Sequence, residues 1–186
     1  MDRCGGCIKA TPAFDATVAA VDYAAPFDAL TLQLKFGAQL ALAPMCAQLV
    51  RDALLAQESL AALQVLDLPD VLCPVPLGPR RLAERGFNQA LEIARPLAGL
   101  LGVTLQVRLL ARPVDTAAQS TMTPAARRRN VRGAFVVEGD VDGKHVGVVD
   151  DVMTSGKTLH EVARTLKHAG AVRVTNLVFA RTPPHD

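Results

Sequence analysis

The residues best suited to chemistry are two adjacent acids, Asp150 and Asp151, which follow a short apolar run. That run, 146–149, is rich in β-branched residues and predicts a strand that is covered on both faces. A turn of small, hydroxyl-bearing and basic residues comes next: Thr154, Ser155, Gly156, Lys157 and Thr158. A helical pattern then begins and is predicted to stop near Gly170. Because this order of elements directs free backbone N–H groups at the turn, we predict that the turn binds a phosphate.

The two acids indicate what else the ligand carries. Because carboxylates repel a phosphate, they are better suited to the hydroxyl groups of the same ligand, or to a metal ion that it brings. Ribose 5-phosphate has both parts, with its phosphate in the turn and its ring hydroxyls on Asp150 and Asp151. Charge-assisted hydrogen bonds of this kind are short and roughly twice as strong as neutral ones.

Two other interpretations of this stretch exist. Two acids after a strand can be turn chemistry and a helix cap, with an ordinary loop behind them. The complete succession of apolar strand, acids, hydroxyls and glycine favours the ligand instead. The second alternative is a nucleotide-binding P-loop, whose ending matches residues 156–158. That motif requires glycine at position 151, where this chain has Asp151, so the P-loop is excluded.

Residues 148–158 resemble the signature with which type I phosphoribosyltransferases bind phosphoribosyl diphosphate (PRPP). Three further segments narrow the resemblance to the ComF/GntX branch, the competence-associated phosphoribosyltransferase-like proteins. These segments are Leu34-Lys35-Phe36-Gly37, then Pro74-Val75-Pro76-Leu77 with Arg85-Gly86-Phe87-Asn88-Gln89, then Arg128-Arg129-Asn130-Val131 with Gly133-Ala134-Phe135. The resemblance extends from Cys4 to about Arg181 and implies one α/β domain. In that fold a mainly parallel sheet has helices on both faces and a site at the carboxyl ends of its strands.

The resemblance also assigns roles to residues. The acid pair would hold the ribose and act in catalysis, and residues 154–158 would bind the 5′-phosphate. A second segment would bind the pyrophosphate, through Leu77, Arg80, Arg81, Arg85, Asn88 and Gln89. Guanidinium groups suit pyrophosphate, whose oxygens accept paired hydrogen bonds. Taken singly, each arginine can also be a solvated or ion-paired surface residue, and Arg85 ranks first because it stands inside the matching motif.

A stretch rich in threonine, serine and alanine, 112–122, precedes a strongly basic run. Similar enzymes have a mobile loop here that closes over PRPP. The candidate residues in these two segments are Arg112, Thr116, Gln119, Arg127, Arg128 and Asn130. The basic run can hold the diphosphate, bind single-stranded DNA or form a solvated face. Proteins that track single strands usually add aromatic stacking, and only Phe135 lies nearby, so the ligand role is preferred.

The elements that must position these residues can be predicted from periodicity and turn signals. Strands are predicted at 14–23, 70–74, 105–110, 135–137, 146–149 and 172–180. Helices are predicted from Pro26 and at 40–56, 88–102 and 158–166, with a linker at 57–69. Residues 14–69 would form a hood and helices packed on a phosphoribosyltransferase core at 70–186. Within the hood, Lys35 is the candidate site residue, although it can equally be a surface lysine that buries only its stem.

Residues 1–13 contain Cys4 and Cys7, which have the spacing of half a zinc ribbon. Two thiolates cannot close a tetrahedral site. Related proteins commonly carry two such pairs, so we expect this segment to be a remnant of that module. A Zn²⁺ ion would need ligands from outside the chain or from a second copy.

Composition narrows the class of protein. The chain has 186 residues, half of them hydrophobic, and no tryptophan. Its net charge of +2 is too small to imply nucleic-acid binding by itself. Because no apolar run approaches the roughly 20 residues of a membrane span and no signal-peptide pattern is present, we expect a cytoplasmic protein without a membrane partner. Cys46 and Cys73 lie in apolar segments and are expected to be reduced core thiols.

Two functions remain open. In the first, the protein transfers phosphoribosyl from PRPP to an unknown nitrogen acceptor and releases pyrophosphate, with Mg²⁺ held mostly by ligand oxygens. In the second, suggested by the ComF resemblance, it is a non-catalytic protein of competence and DNA uptake. It would then keep PRPP as an effector or relic and contact single-stranded DNA or uptake partners. The sequence determines neither the acceptor nor the oligomeric state.

Overall fold

The computed structural model describes residues 11–37, 39–59, 67–113 and 133–183. Within these ranges it contains seven strands and five α-helices. In chain order they are β1 (Ala16–Asp22), α1 (Phe27–Phe36), α2 (Ala43–Ser59), β2 (Val71–Pro74), α3 (Pro79–Arg85), α4 (Gln89–Leu101), β3 (Thr104–Leu105), β4 (Leu110–Ala111), β5 (Val136–Val137), β6 (His145–Met153), α5 (Lys157–His168) and β7 (Arg173–Arg181).

Five strands form one parallel sheet in the order β1-β7-β6-β2-β3. β6 is its central strand, and β2 is also paired on both sides. A separate two-stranded antiparallel sheet joins β4 to β5. Since all strands of the main sheet run in the same direction, their carboxyl ends meet at one edge. The predicted α/β fold with a mainly parallel sheet is confirmed.

Both faces of β6 are covered by apolar side chains. Val146 and Val148 belong to a core cluster that includes Leu159 and Val162 of α5. Val149 belongs to the cluster on the other face, which includes side chains of α2 and α4. The apolar run is therefore covered on both faces, as its composition predicts, and the next polar residues of β6 are Asp150 and Asp151, near its carboxyl end.

The structure corrects several predicted boundaries. β6 extends from His145 to Met153, so Asp150 and Asp151 lie inside the strand and do not follow it. The strand predicted at 105–110 is in fact two short strands that belong to different sheets. The helix predicted at 40–56 begins as a 3₁₀ turn at Leu40–Leu42, and α2 continues to Ser59. It thus enters the predicted linker.

Helix α3 lies in the segment that the resemblance assigns to pyrophosphate binding, where the sequence pattern predicts no helix. Pro79 occupies its first turn, where the missing N–H of proline costs nothing. Gly86 ends the helix in the left-handed conformation, with φ +81°. These two residues define a seven-residue helix although its apolar pattern is weak.

We expect Gly147→Ala to destabilise the fold. An added Cβ at this position in β6 would lie 2.5 Å from Leu72 Cδ2 and 2.9 Å from Pro69 Cγ. Overpacking of this kind costs about 1–3 kcal/mol in the free energy of unfolding, which urea titration measures. Gly99→Ala is the matched control. Gly99 is an exposed residue of α4 with no atom within 4 Å of its added Cβ, so alanine should stabilise the protein by about 0.5–1 kcal/mol. Equal effects at the two positions would contradict the packing explanation.

Candidate functional site

The acid pair lies at the carboxyl end of the central strand. Asp150 is half-buried and Asp151 is 7% exposed. Asp150 Oδ1 accepts a hydrogen bond of 3.0 Å from the backbone N–H of Asp151. Burial and the neighbouring Asp151 carboxylate raise the pKa of Asp150 well above its ordinary value, and Lys35 offsets only part of this effect. The site therefore keeps an acid whose charge is unfavourable in its surroundings.

The turn that follows β6 leads into an uncapped helix. Thr154 and Ser155 are exposed, and Gly156 adopts the left-handed conformation with φ +68°. Helix α5 then begins at Lys157, without a side-chain cap and without an acid in its first turn. Its first N–H groups and its positive dipole end are thus available to an anion. An added Cβ at Gly156 would lie 2.7 Å from Met153 Cε, the end of a flexible side chain that can move, so the positive φ and not the space favours glycine.

A second group of polar residues lies where β2 leads towards α4. Asn88 caps α4 by accepting a hydrogen bond from the N–H of Ala90, and its amide donates to the carbonyl of Val75 at 3.0 Å. Arg85 Nη1 donates to Gln89 Oε1 at 2.8 Å. Gln89 is 2% exposed, and its Nε2 has no hydrogen-bond partner among the described residues. A buried amide donor is therefore fixed beside a guanidinium group.

The other residues of the predicted pyrophosphate segment are placed differently. Arg80 is exposed and forms a surface ion pair with Glu84 at 2.7 Å. Arg81 and Leu77 are half-buried. The structure thus brings Arg85, Asn88 and Gln89 together and places Arg80 on the surface of α3.

The last turn of α1 contacts both groups. Lys35 Nζ lies 3.2 Å from Asp151 Oδ2. The Arg85 guanidinium carbon lies 5.4 Å from the centre of the Phe36 ring, a cation–π distance. The structure thus places Lys35 at the acid pair. Phe36 was quoted in the family motif but was not predicted as a site residue. The signal that could have found it is a large aromatic side chain directly after Lys35.

Several predicted residues lie elsewhere. Arg112 stands over the ring of Phe135 at 5.4 Å, next to the β4–β5 pair. Seven candidates lie outside the described residues, namely Cys4, Cys7, Thr116, Gln119, Arg127, Arg128 and Asn130. Within the described ranges, no group of three or more histidine, cysteine or acidic residues could hold a metal ion.

The core cysteines have no part in this site chemistry. Cys46 and Cys73 are free and buried, as predicted. Burial raises the pKa of Cys46 to about 11 and that of Cys73 to about 12, so both thiols stay protonated near neutral pH.

Comparison with known proteins agrees with this geometry. Residues 82–184 match the family described as "Phosphoribosyl transferase domain". The chain belongs to this family. The matched region of this phosphoribosyl transferase domain contains Arg85, the acid pair and the turn before α5, whereas Lys35 and Phe36 precede it. The resemblance inferred from the sequence motifs is confirmed.

Two named relatives match nearly the whole of this chain. The "DNA utilization protein YhgH" of Salmonella typhimurium is 37% identical over 180 residues, covering 96% of this chain and 78% of that protein. "Competence protein F" of Haemophilus influenzae is 31% identical over 186 residues, with the same coverage. Among solved structures, a purine phosphoribosyltransferase from Pyrococcus horikoshii has 23% identity and a TM-score of 0.44, covering 75% of each chain.

Within the described ranges, no helix combines the length and apolar character needed to cross a bilayer.

We expect Asp150→Asn to stabilise the protein at neutral pH. Because folding raises the pKa of Asp150 above its ordinary 3.8, the unfolded chain loses this proton at lower pH than the folded one. The charge therefore costs stability as pH rises above that value. The gain should be about 0.5–2 kcal/mol at pH 7, a range common for stabilising substitutions, and should shrink towards pH 4. Urea unfolding between pH 4 and pH 8 measures it.

Asp140→Asn is the matched control, with the opposite sign. A hydrogen bond from Lys144 lowers the pKa of Asp140, so its charge favours the folded state at neutral pH and this contribution is lost as pH falls through the folded pKa. A lower stability of Asp150→Asn than of the wild type across the whole pH range would contradict the interpretation of the acid pair.

Proposed function

We propose that this protein binds PRPP together with Mg²⁺ and transfers the phosphoribosyl group to a nitrogen acceptor. The observation that carries this proposal is the central strand, which carries two acids near its carboxyl end and leads through a glycine turn into an uncapped helix. One end of this arrangement suits hydroxyl groups and the other suits a phosphate monoester. A sugar phosphate is the ligand class that needs both.

The neighbouring strand supplies a place for the leaving group. β2 pairs with β6, and the N–H of Val75 donates to the carbonyl of Val149 at 2.9 Å. The residues beyond β2 therefore emerge next to the acid pair. Arg85 and the buried Gln89 amide offer donors of the kind that diphosphate oxygens accept.

The donor set fits Mg²⁺ only if the ligand brings most of the oxygens. Magnesium is commonly bound through one or two carboxylates together with substrate phosphates. The acid pair provides two carboxyl groups, and the described residues provide no larger cluster. Bound in this way, the ion would neutralise charge on the diphosphate.

The proposed reaction needs no protein nucleophile. The acceptor nitrogen forms a bond to C1 of the ribose while the bond from C1 to the diphosphate oxygen breaks, and its electron pair leaves with pyrophosphate. Asp150 and Asp151 would hold the ring hydroxyls and favour the positive charge that develops on the sugar. Arg85 would stabilise the negative charge of the departing group. Catalysis would then rest on positioning and on electrostatic stabilisation.

Isothermal titration with PRPP and Mg²⁺ tests the proposal. The wild type should bind, and Asp150→Asn combined with Asp151→Asn should bind at least about tenfold more weakly, since charged acceptors become neutral. Asp140→Asn, which alters an exposed acid on another turn, should leave the affinity unchanged. No binding of PRPP at millimolar concentration would reject the proposal. Release of pyrophosphate with a panel of nitrogenous bases would then test transfer.

Arg85→Ala should distinguish the contribution of the diphosphate to binding from that of the ribose 5-phosphate part of PRPP. We expect the affinity for PRPP to fall about tenfold or more, because a hydrogen bond to a charged group is worth about 1.5–3 kcal/mol. The affinity for ribose 5-phosphate, which lacks the diphosphate, should change by less than about twofold. Arg95→Ala is the control, since Arg95 is an exposed arginine of the adjoining helix α4. Equal losses for both ligands would place Arg85 outside the proposed diphosphate subsite.

A second candidate function is favoured by the names of the relatives. Proteins called "DNA utilization protein" and "Competence protein F" support a non-catalytic role in DNA uptake, with PRPP as an effector. Binding to single-stranded DNA should then weaken steeply as salt rises, because phosphate contacts release counterions. Steep salt dependence without pyrophosphate release would favour this candidate over the enzyme.

A further inference from the structure

The final turn of α1 carries two adjacent side chains that reach two parts of the site. Lys35 contacts Asp151, and Phe36 contacts Arg85. The Lys35 and Asp151 side chains are only 24% and 11% exposed. This burial is unusual for a lysine close to the end of a helix, where the side chain can reach solvent. Phe36, in contrast, is 74% exposed and is not a core residue. Burial of the Phe36 ring therefore does not explain the position of this turn.

The two contacts affect a ligand in different ways. A ring stacked on the face of a guanidinium leaves the N–H groups at its edge free to bind phosphate oxygens. Phe36 can therefore stay on Arg85 while a ligand binds. The Lys35 ammonium, however, lies 3.2 Å from Asp151 Oδ2, where a sugar hydroxyl would have to donate. A hydroxyl and this ammonium compete for the same carboxylate.

We propose that Lys35 is an internal occupant of the sugar-hydroxyl subsite, delivered there by the contact between Phe36 and Arg85. This inference rests on the proposed function and adds a regulatory contact to it. A sugar phosphate binds only after the ion pair between Lys35 and Asp151 opens. The apparent affinity is then reduced by the fraction of molecules in which the pair is closed.

The free-energy cost of displacing Lys35 from Asp151 depends on the ligand. A diphosphate gives the displaced ammonium a new anionic partner, whereas ribose 5-phosphate leaves fewer charges near the acid pair. Lys35 therefore opposes ribose 5-phosphate more than it opposes PRPP. The contact favours the ligand that carries the leaving group over the same sugar without it.

The experiment compares affinities for ribose 5-phosphate and for PRPP with Mg²⁺ by titration calorimetry. Lys35→Met and Lys35→Gln, which both remove the ammonium, should bind ribose 5-phosphate about three- to tenfold more tightly than the wild type, with a smaller gain for PRPP. Lys35→Arg keeps the charge and should stay within about twofold of the wild type. Lys144→Met is the matched control, because it removes the lysine of an exposed ion pair with Asp140 on another turn. Thermal unfolding of each variant checks that it is folded.

Three outcomes decide the inference. Tighter binding of ribose 5-phosphate by both neutral variants, but not by Lys35→Arg, supports it. Binding of ribose 5-phosphate that is seen only in the neutral variants, while the wild type binds PRPP, supports it as well. Unchanged or weaker binding by folded neutral variants overturns it while the wild type still binds, which leaves the proposed function standing. No binding of either ligand by the wild type or any variant rejects the proposed function and this inference together.

Discussion

The hydrogen-bonded pairing of β6 on both of its sides is the constraint on which the rest of the structure depends. A central parallel strand has no solvated face, so its residues are apolar where neighbouring strands pair with it on both sides. In this protein β2 pairs with β6 from Val146 to Val149, and the acids begin at Asp150, where β6 still pairs with β7. The two acids are consequently held by a rigid strand, and the turn after them is held between that strand and the start of α5. The distance from the acids to the turn is therefore set by backbone pairing and not by a loop.

The same constraint explains why an acid with an unfavourable charge persists. Asp150 sits at the boundary between the core and the edge of the sheet, where burial and the neighbouring carboxylate raise its pKa. The charge of such a residue does not stabilise the fold, so a purely structural role does not explain it. A ligand that donates hydrogen bonds to the pair would offset this cost, which is the usual relation between stability and function at binding sites. The positive charge of Lys35 also offsets part of this cost.

Much of the fold could be predicted because its signals are local. The apolar run before Asp150, the helical pattern after the turn and the glycines at helix ends each depend on neighbouring residues. Helix α3 was missed because its single large apolar residue, Leu82, is exposed and leaves no amphipathic pattern. The extra length of β6 was missed because aspartate has a low strand propensity, and tertiary pairing overrides it. The contact between Lys35 and Asp151 could not be predicted at all, since it joins residues that are distant in the chain.

Helix α1 is connected to the edge of the sheet, away from the strand that carries the acid pair. This helix follows β1, an edge strand that pairs only with β7, and it lies before the region that matches the domain family. The acid pair lies on the central strand. Substitutions in the last turn of α1 can therefore reshape the entrance to the site without disturbing the strand that holds the acids. Such an arrangement allows the acid pair to be retained through evolution while the helical turn beside it changes.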